Sequence, residues 1–314
     1  MQVDVYVPLL VSLLFGVLAG PVGRRLPPDV AVRLLVPAAV VTAAGWVWAL
    51  ALLVWTAAAQ LSVVAAEGHW SRSVFRAKDP VAGPVAYLAT IALTTGVAAL
   101  VAATVRGIHS VWTTRALARQ TCRTSTGELV VVPDDAPEAF ALPGAQSGRI
   151  VVTTGMLAAL DSDERRVLFA HERAHLYARH QWWMVAVQLA AAADPLLARL
   201  PRFIDHMLER WADEYAAVQV GNRRLVARAL AHAGLAALRH TAPPQQVGVA
   251  LRFAATGVRT RVAALLIEPS PLRWPIVAAV VVVVTVATAA AIDASNDLEN
   301  LFELVAIRTA NAGN

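Results

Sequence analysis

Residues 161–180 read DSDERRVLFAHERAHLYARH, and the rest of the chain is best interpreted outward from them. Asp161 followed by Glu164 is a capping-box start, and Arg165 to Arg179 contain no glycine or proline, so a helix is expected to run through the segment. On that helix His171 and His175 stand four residues apart and share one face, where both imidazoles can reach a single ion at about 2.0–2.1 Å. Glu172 is offset from the pair and can address water beside the ion. Given 8 histidines, the pattern arises by chance in roughly 0.6% of such chains. It therefore outweighs the bland alternative of two satisfied helix histidines.

A hydrolytic metal site needs a third protein ligand and one open position. Downstream, DHMLERWADEY (205–215) sets Asp205, Glu209 and Asp213 at steps of four on a helix expected from Pro201 to Val220, closed by Gly221 and Asn222. Glu209 is the expected third ligand. Asp213, one turn further, is expected to accept the second ring N–H of a ligating histidine. Alone, such a stripe reads as a solvated acidic face; after an H-E-x-x-H helix it reads as part of the site. The lone cysteine, Cys122, excludes an intramolecular disulfide and a CxxC thiolate site, so any metal is held by histidine and carboxylate. His180, five residues after His175, points to another side of a continuous helix and reads as an interfacial residue beside Trp182 and Trp183. His69 and His109 are isolated. The β-branched run Arg149 to Thr154 between Gly148 and Gly155 is expected to be a strand, with Ile150, Val151, Val152 and Thr153 as candidate substrate-pairing residues if it is an edge. Pro133 to Gly148 is expected to be loop.

The surroundings are those of a membrane protein. Of 314 residues 57% are hydrophobic and 16% charged, against about 25% charged in soluble domains. Charge-free runs Val5–Gly23, Leu34–Ala66, Pro80–Val105 and Trp274–Ile292 each reach the roughly 20 residues a spanning helix needs. Transmembrane helices are expected at about 5–23, 34–60, 82–105 and 274–292. Residues 106–273 are then a small α+β domain, and 293–314 a short external tail. The run 180–193 is too short to span and is expected to be buried, re-entrant or interfacial. Arg24, Arg25, Arg33, Arg106, Arg115, Arg119 and Arg123 place 106–273 in the cytoplasm by the positive-inside rule, against Arg72, Arg76 and Lys78 in the second loop. Met1-Gln2-Val3-Asp4 lacks the basic start of a signal peptide, so the first run is expected to be retained. The net charge of +5 is spent on membrane orientation; no aromatic interleaving or binding fold points to nucleic acid.

RIVVTTGMLAALDSDERRVLFAHERAHLYARH (149–180) and LERWADEYAA (208–217) resemble the gluzincin metallopeptidases of the membrane, most of all the BlaR/MecR type, and also their HtpX and CAAX-protease relatives. The four-run layout and RTRVAALL (259–266) are weaker support. The resemblance implies a mainly α-helical integral membrane protein carrying a gluzincin-like domain, with one zinc ion per chain bound by His171, His175 and Glu209, Glu172 as general base and Asp213 behind the ligands. A counterpart of the penicillin-binding sensor domain of the antibiotic receptors is not expected in the 22 residues after the last run. The implied activity is endoproteolysis by zinc-activated water in a bacterial plasma membrane. Its substrate is a protein or peptide, such as a cytosolic repressor cut for regulation. HtpX-like quality control of membrane proteins is the alternative, and a non-catalytic zinc scaffold the reading from another class. The oligomeric state is not readable.

Overall fold

In the computed structural model, residues 4–67, 83–121, 127–144, 148–241 and 250–312 are described. His69, Arg72, Arg76, Lys78, Cys122 and Arg123 lie outside them. The chain is a mainly α-helical membrane protein with one small sheet. Helix α1 (Val7–Gly23) and α2 (Pro28–Ala58) are followed by the short α3 (Ser62–Glu67) and by α4 (Gly83–Thr121). The sheet strands are β1 (Leu129–Val132), β2 (Ala139–Leu142) and β3 (Arg149–Thr153). Then come α5 (Thr154–Ala159), α6 (Ser162–Tyr177), α7 (His180–Ala193), α8 (Leu200–Val220), α9 (Arg223–Thr241), α10 (Ala250–Leu265) and α11 (Trp274–Ala312). By length and composition, Asp4–Gly23, Pro28–Ala58, Gly83–Thr113 and Trp274–Asn300 are long and apolar enough to cross a membrane.

Three of these helices overrun the expected limits, each for a local reason. Helix α2 starts six residues early because Pro27 and Pro28 set the entry and Asp29 sits in its first turn, where it pairs with Arg33 at 3.6 Å. Helix α4 continues past Val105 to Thr121, since charge alone does not end a helix and no proline intervenes. The expected tail after Ile292 is likewise helical to Ala312, just before Gly313.

Of the three forms expected for the short run 180–193, the structure shows the buried one. Helices α7 and α8 form a hairpin that enters the bundle of apolar helices. Val187 and Ala190 of α7 and Leu197, Leu200, Ile204, Met207 and Leu208 on the α8 side share one core with Phe15 and Ala19 of α1 and with Val32, Leu35, Val36 and Ala39 of α2. The boundary expected at 105/106 thus does not separate two cores. The hairpin tip lies half-way along the spanning helices. A Cβ on Gly16 of α1 would run into the Leu196 carbonyl oxygen, and one on Gly96 of α4 would sit 3.0 Å from that of Ala193. Such close approach is the use small residues have between membrane helices. Irregular backbone at membrane depth persists where protein surrounds it, and here Asp194, fully buried, accepts from the Leu196 N–H at 3.0 Å and from the Ser12 hydroxyl.

The sheet order is β1-β3-β2, with β1 parallel and β2 antiparallel to β3 (Val130 and Phe140 both opposite Val151). The expected strand is therefore the central one. Strand β2 lies inside the segment expected to be loop; AFAL is four residues long with no β-branched member, and its pairing comes from β3.

Candidate metal centre

Helix α6 begins as its sequence dictates. The Glu164 N–H donates to the Asp161 carboxylate at 2.8 Å and the Asp161 N–H to that of Glu164 at 3.1 Å, the two halves of a capping box. Glu164 is buried and also receives Arg228 Nε at 3.0 Å and His232 Nδ1 at 2.7 Å, which ties the start of α6 to α9. The helix then presents His171 and His175 toward α8, where Glu209 faces both.

The ligating atoms converge. His171 Nε2 lies 3.2 Å from His175 Nε2 and 3.6 Å from Glu209 Oε2, and His175 Nε2 lies 3.5 Å from Glu209 Oε1. A tetrahedral ion with bonds of about 2.0–2.1 Å sets its ligand atoms roughly 3.3 Å apart, so this donor set fits zinc. Among the described residues it is the only group of three or more His, Cys, Asp or Glu so arranged. Both histidines turn Nε2 inward and Nδ1 outward. Behind His171, Nδ1 stands 3.1 Å from Asp213 Oδ1. Behind His175, Nδ1 stands 2.9 Å from His180 Nδ1. Asp205, the remaining member of the acidic stripe, is exposed.

Arg261 of α10 closes the centre, and the sequence assigns it no role there. Its guanidinium donates through Nε and Nη2 to both Asp213 oxygens at 2.8 and 2.7 Å, while Nη1 reaches Glu209 Oε2 at 2.7 Å. The fork matches a carboxylate as a bidentate partner does. The signal available was the second arginine of RTRVAALL, 48 residues from Asp213 along the chain.

Electrostatics follow from burial and these neighbours. Burial works to lower the His171 pKa, but the Asp213 and Glu209 carboxylates outweigh it and push it up to about 10. His175 is pushed down to about 4 by burial, with the His171 cation beside it. Glu209 is held well below the usual carboxylate range, because His171 and Arg261 overcome its burial. Glu172, 7% exposed, is raised, first by burial and also by Glu209, against the pull of His171 and Arg261. Glu172 also borders a cavity of about 130 Å³ that Val167, Leu168, Val226 and Leu230 line together with His171, Asp213 and Arg261.

Glu172 and the three converging residues open onto one cleft of about 350 Å³, whose far wall is β2 through Ala139, Phe140 and Ala141. This corrects the expected substrate strand. Ile150, Val151, Val152 and Thr153 belong to β3, which β1 and β2 pair on either side, so its backbone is not free to take another strand. The strand along the cleft is β2. His180 differs from expectation as well: it is 3% exposed and faces His175. Arg179 takes a left-handed turn (φ 52°) that ends α6 and redirects the chain. A non-glycine residue there leaves no mark in sequence.

Comparison with known proteins agrees with this geometry. Residues 102–200 match the profile of peptidase family M48, a span that holds the H-E-x-x-H helix and stops short of Glu209, Asp213 and Arg261. The chain is 34% identical over 89 residues to a protein described as "Protease HtpX homolog" from Acidiphilium cryptum, which covers 28% of this chain and 31% of that one. It thus spans less than a third of the length of the curated relative it matches. No solved structure matches. Both likenesses fall on the HtpX side of the expected group; the BlaR/MecR likeness rests on the motifs alone. The paired histidines of α6 lie inside the matched span, so the likeness of residues 102–200 to the M48 peptidases includes the H-E-x-x-H part of the centre.

Proposed function

We propose that the protein is a membrane-embedded zinc endopeptidase of the HtpX-like kind, acting at the cytosolic face of a bacterial plasma membrane. The observation that carries this reading is the convergence of His171, His175 and Glu209 beside a buried Glu172 in one cleft walled by β2. His171, His175 and Glu209 hold one zinc ion, and Asp213 fixes His171 with Nδ1 protonated. Zinc, when bound, supplies Lewis acidity that acidifies water and polarises a carbonyl. Glu172, kept basic by its burial, takes the proton of the attacking water and delivers it to the leaving amine. Strand β2 offers its edge to an extended substrate, a mode that reads backbone more than side chains. The orientation is supported by Arg33, which stacks on Trp211, and by Arg106, which lines a groove adjoining the cleft, since basic residues favour the cytosolic side.

Substrates anchored in the bilayer are favoured by one observation. A groove of about 810 Å³ runs between α4 and α7, lined among others by Arg106, Val111, Gln188 and Pro201, and shares Pro143 and Gln181 with the cleft. Regulatory cleavage of one cytosolic or juxtamembrane protein, such as a repressor, is the narrower form of the same activity. Profiling of new N-termini in membranes separates the two: many cut proteins mark quality control, and one protein cut at one site marks regulation.

The activity itself is tested by hydrolysis of an unfolded protein in detergent. A chelator should abolish it and stoichiometric zinc restore it; hydrolysis indifferent to both sinks the reading. The pH dependence of binding has a stated sign. At neutral pH the metal-free site carries a proton on His171 and none on His175 or Glu209, so zinc should expel one proton. Affinity should rise about tenfold per pH unit below pH 10. Calorimetry near pH 7.5 in buffers of different ionisation enthalpy measures this, and release of zero or two protons would contradict it.

A further inference from the structure

We propose that His180 is a positioning residue that sets the orientation and tautomer of His175, and that Trp211 and Arg33 hold it in place, so that the entry of the membrane helix α2 is part of how the metal centre is built. The inference rests on the zinc reading above. With Nε2 on the metal, a neutral His175 carries its proton on Nδ1. That atom is 2.9 Å from His180 Nδ1, so His180 accepts there and keeps its own proton on Nε2.

The ring is fixed from several sides. The left-handed Arg179 swings position 180 back; a continuous helix would carry it roughly 140° around from His175. The His180 and Trp211 rings lie 4.9 Å apart, and the Arg33 guanidinium carbon is 4.8 Å from the Trp211 ring centroid, a cation–π distance. Trp211 follows Glu209 by two residues on α8, so the same helix supplies a ligand and the clamp. The His180 Nε2 is buried without a hydrogen bond, so the hydrogen bond the ring makes is the one to His175 Nδ1.

The two ligating histidines are thus backed unequally, His171 by a carboxylate and His175 by a neutral imidazole. Charge explains the difference. Zinc and Arg261 together balance Glu209, Asp213 and Glu172, and a second carboxylate behind His175 would leave the buried centre with a net negative charge.

The test compares two side chains of nearly equal size in the full chain. His180→Asn places an amide oxygen near the Nδ1 position and keeps the acceptor; His180→Leu removes it. Zinc affinity is read by competition with a chromophoric chelator, and ligand geometry by the visible spectrum of the cobalt-loaded protein. His180→Leu should weaken zinc binding about 10–100-fold, the usual cost of losing such a partner, and alter the cobalt spectrum, with His180→Asn close to wild type in both. Trp211→Leu should weaken binding less, and combining it with His180→Leu should add little. Unaltered affinity in His180→Leu overturns the proposal, as do equal losses in the Leu and Asn variants, which would mean packing rather than an acceptor. Glu209→Ala is the control: zinc bound by wild type and lost from it upholds the zinc reading whatever His180 does, and no zinc in wild type overturns both.

Discussion

Glu172→Gln should lower turnover by about 10²–10⁴-fold, the usual worth of a positioned general base, while the purified protein keeps one zinc per chain. The two expectations come from different parts of the geometry. Glutamine matches the shape of glutamate and keeps the packing against β2, but its amide takes no proton. The metal-binding atoms belong to His171, His175 and Glu209 and are untouched. Removing a charge from a position that is 7% exposed also relieves a desolvation cost, so the variant should be as stable as wild type or more so. Turnover on an unfolded protein and zinc by atomic absorption, on the same preparations, read both. Activity surviving with full zinc content would remove Glu172 from the chemistry, and zinc retained without turnover in wild type itself would turn the reading to a structural metal in a scaffold.

Arg261→Ala has the second large effect, on stability. The guanidinium bridges Asp213 and Glu209, both on α8 and both facing inward, and among the described residues the other cation touching them is His171. Removing one partner of a buried pair costs about 3–5 kcal/mol, because the Asp213 charge, 4% exposed, stays out of reach of water, while Glu209 keeps the water of the cleft. Zinc offsets part of that loss by bringing positive charge to the same carboxylates. The thermal midpoint should therefore fall, and the gap between zinc-loaded and zinc-free protein should be wider in Arg261→Ala than in wild type. Arg261→Lys should recover only part, since an ammonium cannot satisfy both carboxylates with the geometry of a fork. An unchanged midpoint for zinc-free Arg261→Ala would show that the bridge carries no stability.

What the sequence made legible, and what it hid, divides along the reach of the interaction concerned. The apolar helices, the capping box of α6 and the four-residue spacing of His171 with His175 are local, and each is readable from residues a turn or two apart. Glu209 and Asp213 are periodic on their own helix, so their shared face was readable even though their partners lie elsewhere. That the 14-residue run of α7 does not span was legible from its length, but which of its three possible placements it takes was not, because what admits the hairpin is two glycines on other helices, Gly16 and Gly96. The bridge from Arg261 and the contact of His180 are set by the tertiary fold and by one unmarked left-handed residue. Strand pairing hid β2 in the same way, and with it which strand lines the cleft.

The cation that balances the centre arrives late. Ribosomes release the ligands in the order His171, His175, Glu209, and Arg261 emerges 48 residues after Asp213, in the last helix before the final apolar span. A nascent chain that has exposed all three metal ligands still holds two inward carboxylates without their guanidinium. The centre is thus electrostatically unfinished until position 261 has been made, and the charge that completes it comes only shortly before the apolar helix α11.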